Sequence, residues 1–163
     1  MGVELYRIDD RLIHGQVIVG WGQPMRAGFI VLVDDAIAAN TWEQELYRMG
    51  VPNEVELIFA SVDDAVARIA AWRADPRKGI LLTGDVDTMR RLAERVDGIR
   101  AINLGGVHAR AGRTERLRYL YLAAEEEQAL RALAARGITV TAQDVPSARP
   151  LPLAELLTGG GAA

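Results

Sequence analysis

Short apolar runs recur along the chain and alternate with segments in which apolar residues follow a helical period. Apolar runs of this length, bounded by turn residues, are typical of strands buried in a parallel sheet. The pattern therefore predicts an α/β fold: a doubly wound, mainly parallel open sheet of about seven strands with helices on both faces. The predicted parallel strands are residues 3–8, 29–33, 55–60, 79–83, 101–104 and 139–142.

Capping residues mark the starts and ends of the helices between these strands. Ser61 precedes one helical pattern, and Asp85 or Asp87 precedes another. Such side chains accept hydrogen bonds from the free N–H groups of a helix start. The alanine- and glutamate-rich segment 124–136 is followed by Gly137, the residue type favoured just beyond a helix end.

The connection after residue 104 lacks a helical period, although a parallel crossover usually contains a helix. We therefore expect residues 117–122 to form a strand that can run antiparallel to its neighbour. We expect residues 1–150 to form one domain and residues 151–163 a C-terminal extension. Within the extension, residues 151–157 can form a short docking helix, and residues 159–163 form a disordered end.

A polar turn follows the first predicted strand directly and carries Asp9, Asp10, Arg11 and His14, with Gly15 next. A neutral imidazole is a good nucleophile at neutral pH because its ordinary pKa is about 6.5. A carboxylate can fix its tautomer, and a guanidinium matches phosphate oxygens. Backbone N–H groups at a helix start also favour a dianion. The turn is suited to carry a phosphoryl group on His14.

Ligands of open α/β sheets bind outside the carboxyl ends of the strands. We accordingly assign His14 as the nucleophile, with Asp10 orienting its ring and Asp9 as the alternative. Arg11 would clamp phosphate oxygens. The remaining phosphate-binding groups are the backbone N–H groups of Gly15 and Gln16, together with Thr83, Gly105 and Gly106.

Residues 7–17, Arg-Ile-Asp-Asp-Arg-Leu-Ile-His-Gly-Gln-Val, also resemble a known family segment. The segment that they resemble is the phosphorylation site of enzyme IIB in the mannose/fructose/sorbose family of the bacterial phosphoenolpyruvate-dependent sugar phosphotransferase system. Residues 30–35, 102–108 and 137–146 resemble further segments of that family, in the same order.

The resemblance implies a protein-Nπ-phosphohistidine–sugar phosphotransferase, although the sequence leaves open which nitrogen of His14 carries phosphate. It implies a cytoplasmic phosphocarrier that accepts phosphate from a IIA protein and passes it to a hexose. The hexose would be held by membrane IIC and IID subunits, where the carrier would be peripheral at the inner face. The sugar and a homodimer are left open.

Composition removes several other classes of function. The net charge of −3 argues against a nucleic-acid partner, which would favour a basic domain. The absence of cysteine and the distance between the two histidines argue against a metal site, and we expect no cofactor. No run approaches the ~20 apolar residues of a membrane helix.

The sequence leaves two alternatives to the phosphocarrier function. The first is a regulatory protein that reports its phosphorylation state, suggested by the glycine-interrupted segment 18–24 and the basic stretch 110–118. That stretch is either a solvated face or a contact for an acidic partner. The second is a nucleotide-binding α/β protein, disfavoured because neither Gly-x-Gly-x-x-Gly nor Gly-x-x-x-x-Gly-Lys-Ser/Thr is present.

Other polar and aromatic residues have structural interpretations. Arg7 and Asp9 could form a surface pair worth under about 1 kcal/mol. His108 is expected to have a surface or partner-contact role rather than a catalytic one. Asp34 and Asp35 either cap the next helix or line the pocket. The tryptophans, Trp21, Trp42 and Trp72, are expected to be packing residues.

Overall fold

A seven-stranded sheet forms the centre of the computed structural model, which describes residues 1–159. Six strands are parallel, and the short edge strand β9 runs antiparallel to β8. The α/β prediction is confirmed. In their order across the sheet, the strands are β3 (Glu56–Ala60), β2 (Ala27–Val33), β4 (Lys78–Thr83), β1 (Gly2–Ile8), β5 (Ala101–Leu104), β8 (Thr139–Ala142) and β9 (Leu151–Pro152).

The helices begin where capping side chains were expected. Ser61 and Asp85 each accept a hydrogen bond from a backbone N–H of the helix that follows. Gly137 has a φ of +92°, a backbone conformation that suits glycine just after a helix. The helical elements are a π-helix (Gln16–Gly22), α1 (Gln23–Met25), α2 (Asp35–Ala38), α3 (Thr41–Arg48), α4 (Val62–Arg73), α5 (Val86–Arg95), α6 (Ala124–Ala135) and α7 (Leu153–Gly159).

Buried side chains form two clusters, one on each face of the sheet, because successive residues of a strand point to opposite faces. Leu81 belongs to the cluster packed beneath α4, α5 and α6. Its neighbour Leu82 belongs to the cluster that contains Val17 and Trp21 of the π-helix. The structure thus has helical elements on both faces of the sheet, as the sequence predicts.

The single strand predicted at residues 117–122 is wrong. The chain forms two strands there, β6 (Arg113–Leu117) and β7 (Leu120–Ala123), which pair with each other antiparallel in a separate sheet. Arg118 and Tyr119 form the turn between them. The backbone of Val107 then bonds to the hairpin: its N–H donates to the Tyr119 carbonyl, and its carbonyl accepts from the Tyr121 N–H.

The end of the described chain joins the main sheet. Leu151 and Pro152 pair with β8, so the helix starts at Leu153 instead of residue 151. Leu153, Leu156 and Leu157 are buried in the larger cluster. The disordered end expected at residues 159–163 lies, from residue 160 onward, outside the described residues.

The prediction of three packing tryptophans is correct for two of them. Trp21 and Trp72 are 7% and 5% exposed, whereas Trp42 is 72% exposed. The reason is the orientation of α3. Gln44 donates to the carbonyls of Ile37 and Ala38, and Tyr47 stacks near Phe59. These contacts hold that side of α3 against the protein, and Trp42 lies on the other side.

Candidate functional site

The turn after β1 is bonded to both neighbouring strands. The N–H of Asp9 donates to the Thr83 carbonyl at the end of β4, and the N–H of Asp10 donates to the Gly106 carbonyl beyond β5. The N–H of Gly105 returns to the Ile8 carbonyl. The carboxyl ends of these strands therefore meet at one edge, as expected for a site in an open parallel sheet.

His14 lies in this turn with its side chain 18% exposed. Its Nδ1 is 2.8 Å from the Leu12 carbonyl oxygen, and its Nε2 is 3.7 Å from Oδ2 of Asp9. A carbonyl only accepts hydrogen bonds, so Nδ1 carries the proton in this arrangement. Leu12 has a φ of 59°, which costs a non-glycine residue about 1–2 kcal/mol. The turn thus holds a strained residue whose carbonyl fixes the imidazole.

Asp9 is the carboxylate next to His14, and it is completely buried. Arg11 donates to it from Nε at 2.9 Å and from Nη2 at 2.8 Å, and Arg7 donates from Nη2 at 3.2 Å. Burial alone would raise the pKa of Asp9. The hydrogen bond from Arg11 and the charges of Arg7 and Arg11 outweigh burial and hold that pKa below its ordinary value.

Arg7 is buried as fully as Asp9, so the interpretation of this pair as a surface ion pair is wrong. Its guanidinium donates to Oδ1 of Asn103 and to the carbonyls of Gln143 and Asp144. It also stacks 4.9 Å from the centre of the Trp21 ring. Burial lowers the pKa of Arg7, while Asp9 acts in the opposite direction.

The motif does not predict that these partners of Arg7 belong to the site. The position of Arg7 does indicate that it has partners, because Arg7 falls inside a strand predicted to be buried, and a buried charge needs a counter-charge and hydrogen bonds. The Trp21 Nε1–H also donates to the Asp144 carbonyl, at 3.1 Å. Trp21, Asn103 and the segment around Asp144 thus hold Arg7, and Arg7 holds Asp9.

Arg11 differs from Arg7 because its side chain is 28% exposed. The hydrogen bonds to Asp9 raise the pKa of Arg11, so it keeps its charge throughout the ordinary pH range. One edge of its guanidinium is occupied by Asp9. The exposed part remains available to an anion that approaches from solvent, which suits the phosphate-clamping role predicted for Arg11.

Asp10, the carboxylate preferred from the sequence for orienting His14, has other partners. Its Oδ2 accepts the backbone N–H of His108 at 2.7 Å, and its Oδ1 lies 2.6 Å from Nδ1 of His108. Of the two carboxylates, only Asp9 lies beside the His14 ring, with its Oδ2 3.7 Å from Nε2. The backbone separates the two adjacent acids: one points inward to Arg7, and the other points outward to the loop after β5.

The other predicted phosphate-binding residues have distinct positions. Gly15 and Gln16 stand at the start of the π-helix, where the first N–H groups lack intrahelical acceptors. The Thr83 hydroxyl donates to the Asp85 carbonyl, so it supports the adjacent helix start instead of offering its proton to phosphate. A Cβ on Gly105 would lie 2.6 Å from Asp9 Oδ2, and one on Gly106 would lie 2.9 Å from Arg11 Nε. These two glycines let the charged groups approach the backbone.

An open cleft of about 740 Å³ adjoins the turn and is lined by Asp10, Leu12 and Arg91 among others. Asp34 and Asp35 also line it, and both make capping contacts. Asp34 accepts the N–H of Ile37, and Asp35 accepts the N–H of Val62 at the start of α4. Asp34 thus caps the next helix, α2, as one interpretation predicts, whereas Asp35 caps the later helix α4. Their role in a phosphate pocket stays a prediction.

Two further properties of residues 1–159 bear on function. Within this range, no group of three or more histidine, cysteine, aspartate or glutamate side chains is arranged to hold a metal ion. Over the same range, none of the helices has the length and apolar character needed to cross a membrane.

Comparison with known proteins identifies the family of the chain. Residues 3–161 match the family described as PTS system sorbose subfamily IIB component. The chain is 31% identical over 145 residues to the N-acetylgalactosamine-specific phosphotransferase enzyme IIB component 1 of Escherichia coli K12, covering 87% of this chain and 90% of the relative. It is 32% identical to the mannose-specific EIIAB component of the same organism, over 97% of this chain and 49% of that longer protein.

The structural comparison leads to the same family. The crystal structure of manxB from Thermoanaerobacter tengcongensis superposes with a TM-score of 0.87 and 28% identity, covering 96% of this chain and 95% of that one. The sequence match extends over nearly the whole chain, and it includes the turn that carries His14. The chain therefore belongs to the mannose/fructose/sorbose family of IIB components of the sugar phosphotransferase system.

Proposed function

We propose that His14 accepts a phosphoryl group from a phosphohistidine of a IIA protein and then passes it to a hexose. The chain is a phosphocarrier component for sugar uptake, as its family membership shows. The observation that carries the assignment to His14 is the geometry of the turn. The Leu12 carbonyl holds Nδ1 of the imidazole, Nε2 faces the buried Asp9 carboxylate at 3.7 Å, and Arg11, which is partly exposed, binds that carboxylate.

The proposed reaction exchanges one phosphorus–nitrogen bond for another. The bond to the donor imidazole breaks as a bond to a His14 nitrogen forms. The donor, protonated on its other ring nitrogen, leaves as a neutral imidazole, and His14 keeps its own proton and becomes a positively charged phosphoimidazole. Such transfers depend mainly on positioning and on neutralising charge on the equatorial oxygens. Arg11 would supply that charge, and the N–H groups of Gly15 and Gln16 would supply hydrogen bonds. Asp9 would stabilise positive charge on the imidazole while the new bond forms.

Phosphate on either nitrogen of His14 would displace one of the present contacts. A phosphate on Nδ1 would replace the hydrogen bond to Leu12, and one on Nε2 would need space that the Asp9 carboxylate now borders. The ring would therefore rotate as it becomes phosphorylated. Arg11 would have to bind the incoming phosphate without releasing Asp9, which its five N–H donors allow.

The proposed partners are those with which the family works. A IIA protein would be the donor, and membrane IIC and IID subunits would hold the hexose at the inner face of the membrane. Relatives include an N-acetylgalactosamine-specific IIB component and a mannose-specific IIAB protein. A hexose or hexosamine is the substrate class that these names support for this chain.

The first experiment measures intact protein mass after incubation with phosphoenolpyruvate, enzyme I, HPr and a mannose-family IIA protein. The wild-type chain should gain one phosphoryl group that is lost in acid and kept in alkali. His14→Gln should gain none while it keeps its circular-dichroism spectrum and thermal midpoint. Equal labelling of His14→Gln would refute the assignment of His14.

A second experiment separates transport from a purely regulatory role. The phosphorylated chain is added to membrane vesicles that contain IIC and IID subunits, together with radiolabelled N-acetylgalactosamine or mannose. Formation of sugar phosphate, with loss of the protein-bound group, is the expected result. Stable phosphoprotein in the presence of both sugars would favour the regulatory alternative.

A further inference from the structure

His108 holds the carboxylate of Asp10 with two N–H groups, one from the backbone and one from the ring. The distances are 2.7 Å from the backbone nitrogen to Oδ2 and 2.6 Å from Nδ1 to Oδ1. An ionised carboxylate only accepts hydrogen bonds, so Nδ1 of His108 carries a proton. Both oxygens of Asp10 are engaged, although the His108 side chain itself is 69% exposed.

His108 is in turn anchored by the β6–β7 hairpin. Its carbonyl accepts a hydrogen bond from Nη1 of Arg113 at 2.9 Å. The guanidinium of Arg113 is itself held by both carboxylate oxygens of Glu126 on α6. The preceding residue, Val107, bonds to the hairpin through its N–H and its carbonyl. The position of the Asp10 carboxylate is therefore set by an element outside the main sheet.

The direction of the Asp10 carboxylate matters because Asp10 precedes Arg11 in the turn. Arg11 holds Asp9 with one edge and has an exposed portion for phosphate. The negative charge of Asp10 already acts on Arg11, as it is among the charges that raise the pKa of that guanidinium. A freely rotating carboxylate would compete with phosphoryl oxygens for the same donors, since both prefer a guanidinium.

We propose that His108 is a positioning residue for phosphoryl transfer: it holds the Asp10 carboxylate towards the hairpin and thereby leaves the exposed part of Arg11 available to the phosphoryl group. This inference rests on the proposed role of His14 as the phosphoacceptor. It assigns to the hairpin, through His108, an influence on the rate at which His14 is phosphorylated.

The test measures the rate at which phosphorylated IIA protein transfers its group to the chain, by intact mass after acid-free quenching. His108→Ala should slow acceptance by about tenfold, the size expected when a competitor occupies one charged hydrogen bond. His108→Asn keeps an N–H donor near the position of Nδ1, and its rate should stay within about twofold of wild type.

The double variant Asp10→Asn/His108→Ala distinguishes positioning from a merely structural role. A neutral amide competes poorly for Arg11, so removal of the Asp10 charge should restore acceptance to near the wild-type rate. If His108 only braced the loop, the double variant would remain as slow as His108→Ala, because the brace is equally lost. Thermal midpoints of all variants check that they are folded.

Arg131→Ala serves as a control, because Arg131 is an exposed charged residue on α6. Its rate should equal that of wild type. Acceptance at the wild-type rate by His108→Ala, or a slow double variant, would overturn the inference and leave the role of His14 intact. Absence of phosphate on His14 in the wild-type chain would instead refute the proposed function, and the inference with it.

Discussion

The Asp9 side chain contacts Arg7, Arg11 and His14, and no part of it is exposed. Removing one partner of a buried ion pair leaves an uncompensated charge in a region of low dielectric constant. Removal of the Asp9 charge should therefore cost more free energy of unfolding than removal of one partner of an exposed ion pair.

Asp9→Asn should lower the free energy of unfolding at neutral pH by about 3–5 kcal/mol, because Arg7 then loses its buried counter-charge. Urea denaturation followed by circular dichroism measures this. Asp63→Asn is the matched control: Asp63 pairs with Arg95 but its side chain is 84% exposed, so the change should stay under about 1 kcal/mol. Equal effects of the two substitutions would contradict the prediction.

Asp9 should also make the free energy of unfolding depend on pH in the acidic range. The pKa of Asp9 in the folded protein lies below the ordinary value of 3.8, so its contribution is complete above that value. The contribution is lost as pH falls through the lower pKa of the folded state. The stability difference between wild type and Asp9→Asn should therefore narrow below about pH 4. A difference that stays constant between pH 5 and pH 3 would argue against the lowered pKa.

At the scale of single residues, the sequence predicts which residue types lie in the turn better than it predicts where their side chains point. His14 and Arg11 follow from the chemistry of the turn and from its position after a strand. The choice between Asp9 and Asp10 does not, because adjacent residues in a turn can point to opposite sides. That choice depends on the left-handed backbone at Leu12 and on hydrogen bonds to Thr83 and Gly106. Neither has a signal in the spacing of the motif.

At the scale of elements, strands buried in the sheet were predicted closely, and the hairpin was not. Residues 117–122 are largely apolar, and the turn at Arg118 and Tyr119 contains no glycine, proline or asparagine to mark it. The hairpin is fixed by long-range contacts instead, such as those between Val107 and β7. Local patterns do not contain that information.

The exposed side of α3 gives a prediction about packing. Trp42→Gln should change the free energy of unfolding by less than about 0.5 kcal/mol, because a substitution on an exposed surface removes few contacts. Trp21→Ala should cost about 3–5 kcal/mol, since it removes a buried ring that also covers Arg7. Urea denaturation compares the two variants.

Acrylamide quenching of tryptophan fluorescence measures independently how exposed Trp42 is on the outer side of α3. Trp42 should account for most of the readily quenched emission, because the other two tryptophans are buried. The quenching constant should therefore fall markedly in Trp42→Gln and little in Trp72→Phe. A strong loss of stability in Trp42→Gln would mean that the outer side of α3 is covered in solution.

At the scale of the whole molecule, the topology of the sheet determines where the candidate site lies. Parallel strands have their carboxyl ends at one edge, so the turn after β1, the end of β4 and the glycines after β5 converge there. The order of the strands was not predictable from the apolar pattern, yet it decides which loops become neighbours. β1 lies between β4 and β5, and this places Thr83 and Gly106 on either side of the His14 turn.

Residues 151–159 bear on how much of the chain is needed for a stable fold. From the sequence, residues 1–150 were expected to form the domain and residues 151–163 an extension. β9 pairs with β8, however, and α7 buries Leu153, Leu156 and Leu157. Burial of a leucine side chain contributes about 1.5–3 kcal/mol, and an ordinary domain is stable by only about 5–15 kcal/mol.

A chain ending at Pro150 should therefore lose most of its stability, with an unfolding midpoint far below that of a chain ending at Gly159. The second truncation keeps every residue of β9 and α7, so it controls for the removal of residues 160–163. Urea denaturation of both proteins, followed by tryptophan fluorescence, makes the comparison. Equal midpoints would mean that residues 1–150 fold independently and that α7 is an appendage of a complete domain. A low midpoint would instead make the buried leucines of α7 part of the core that supports the edge carrying His14.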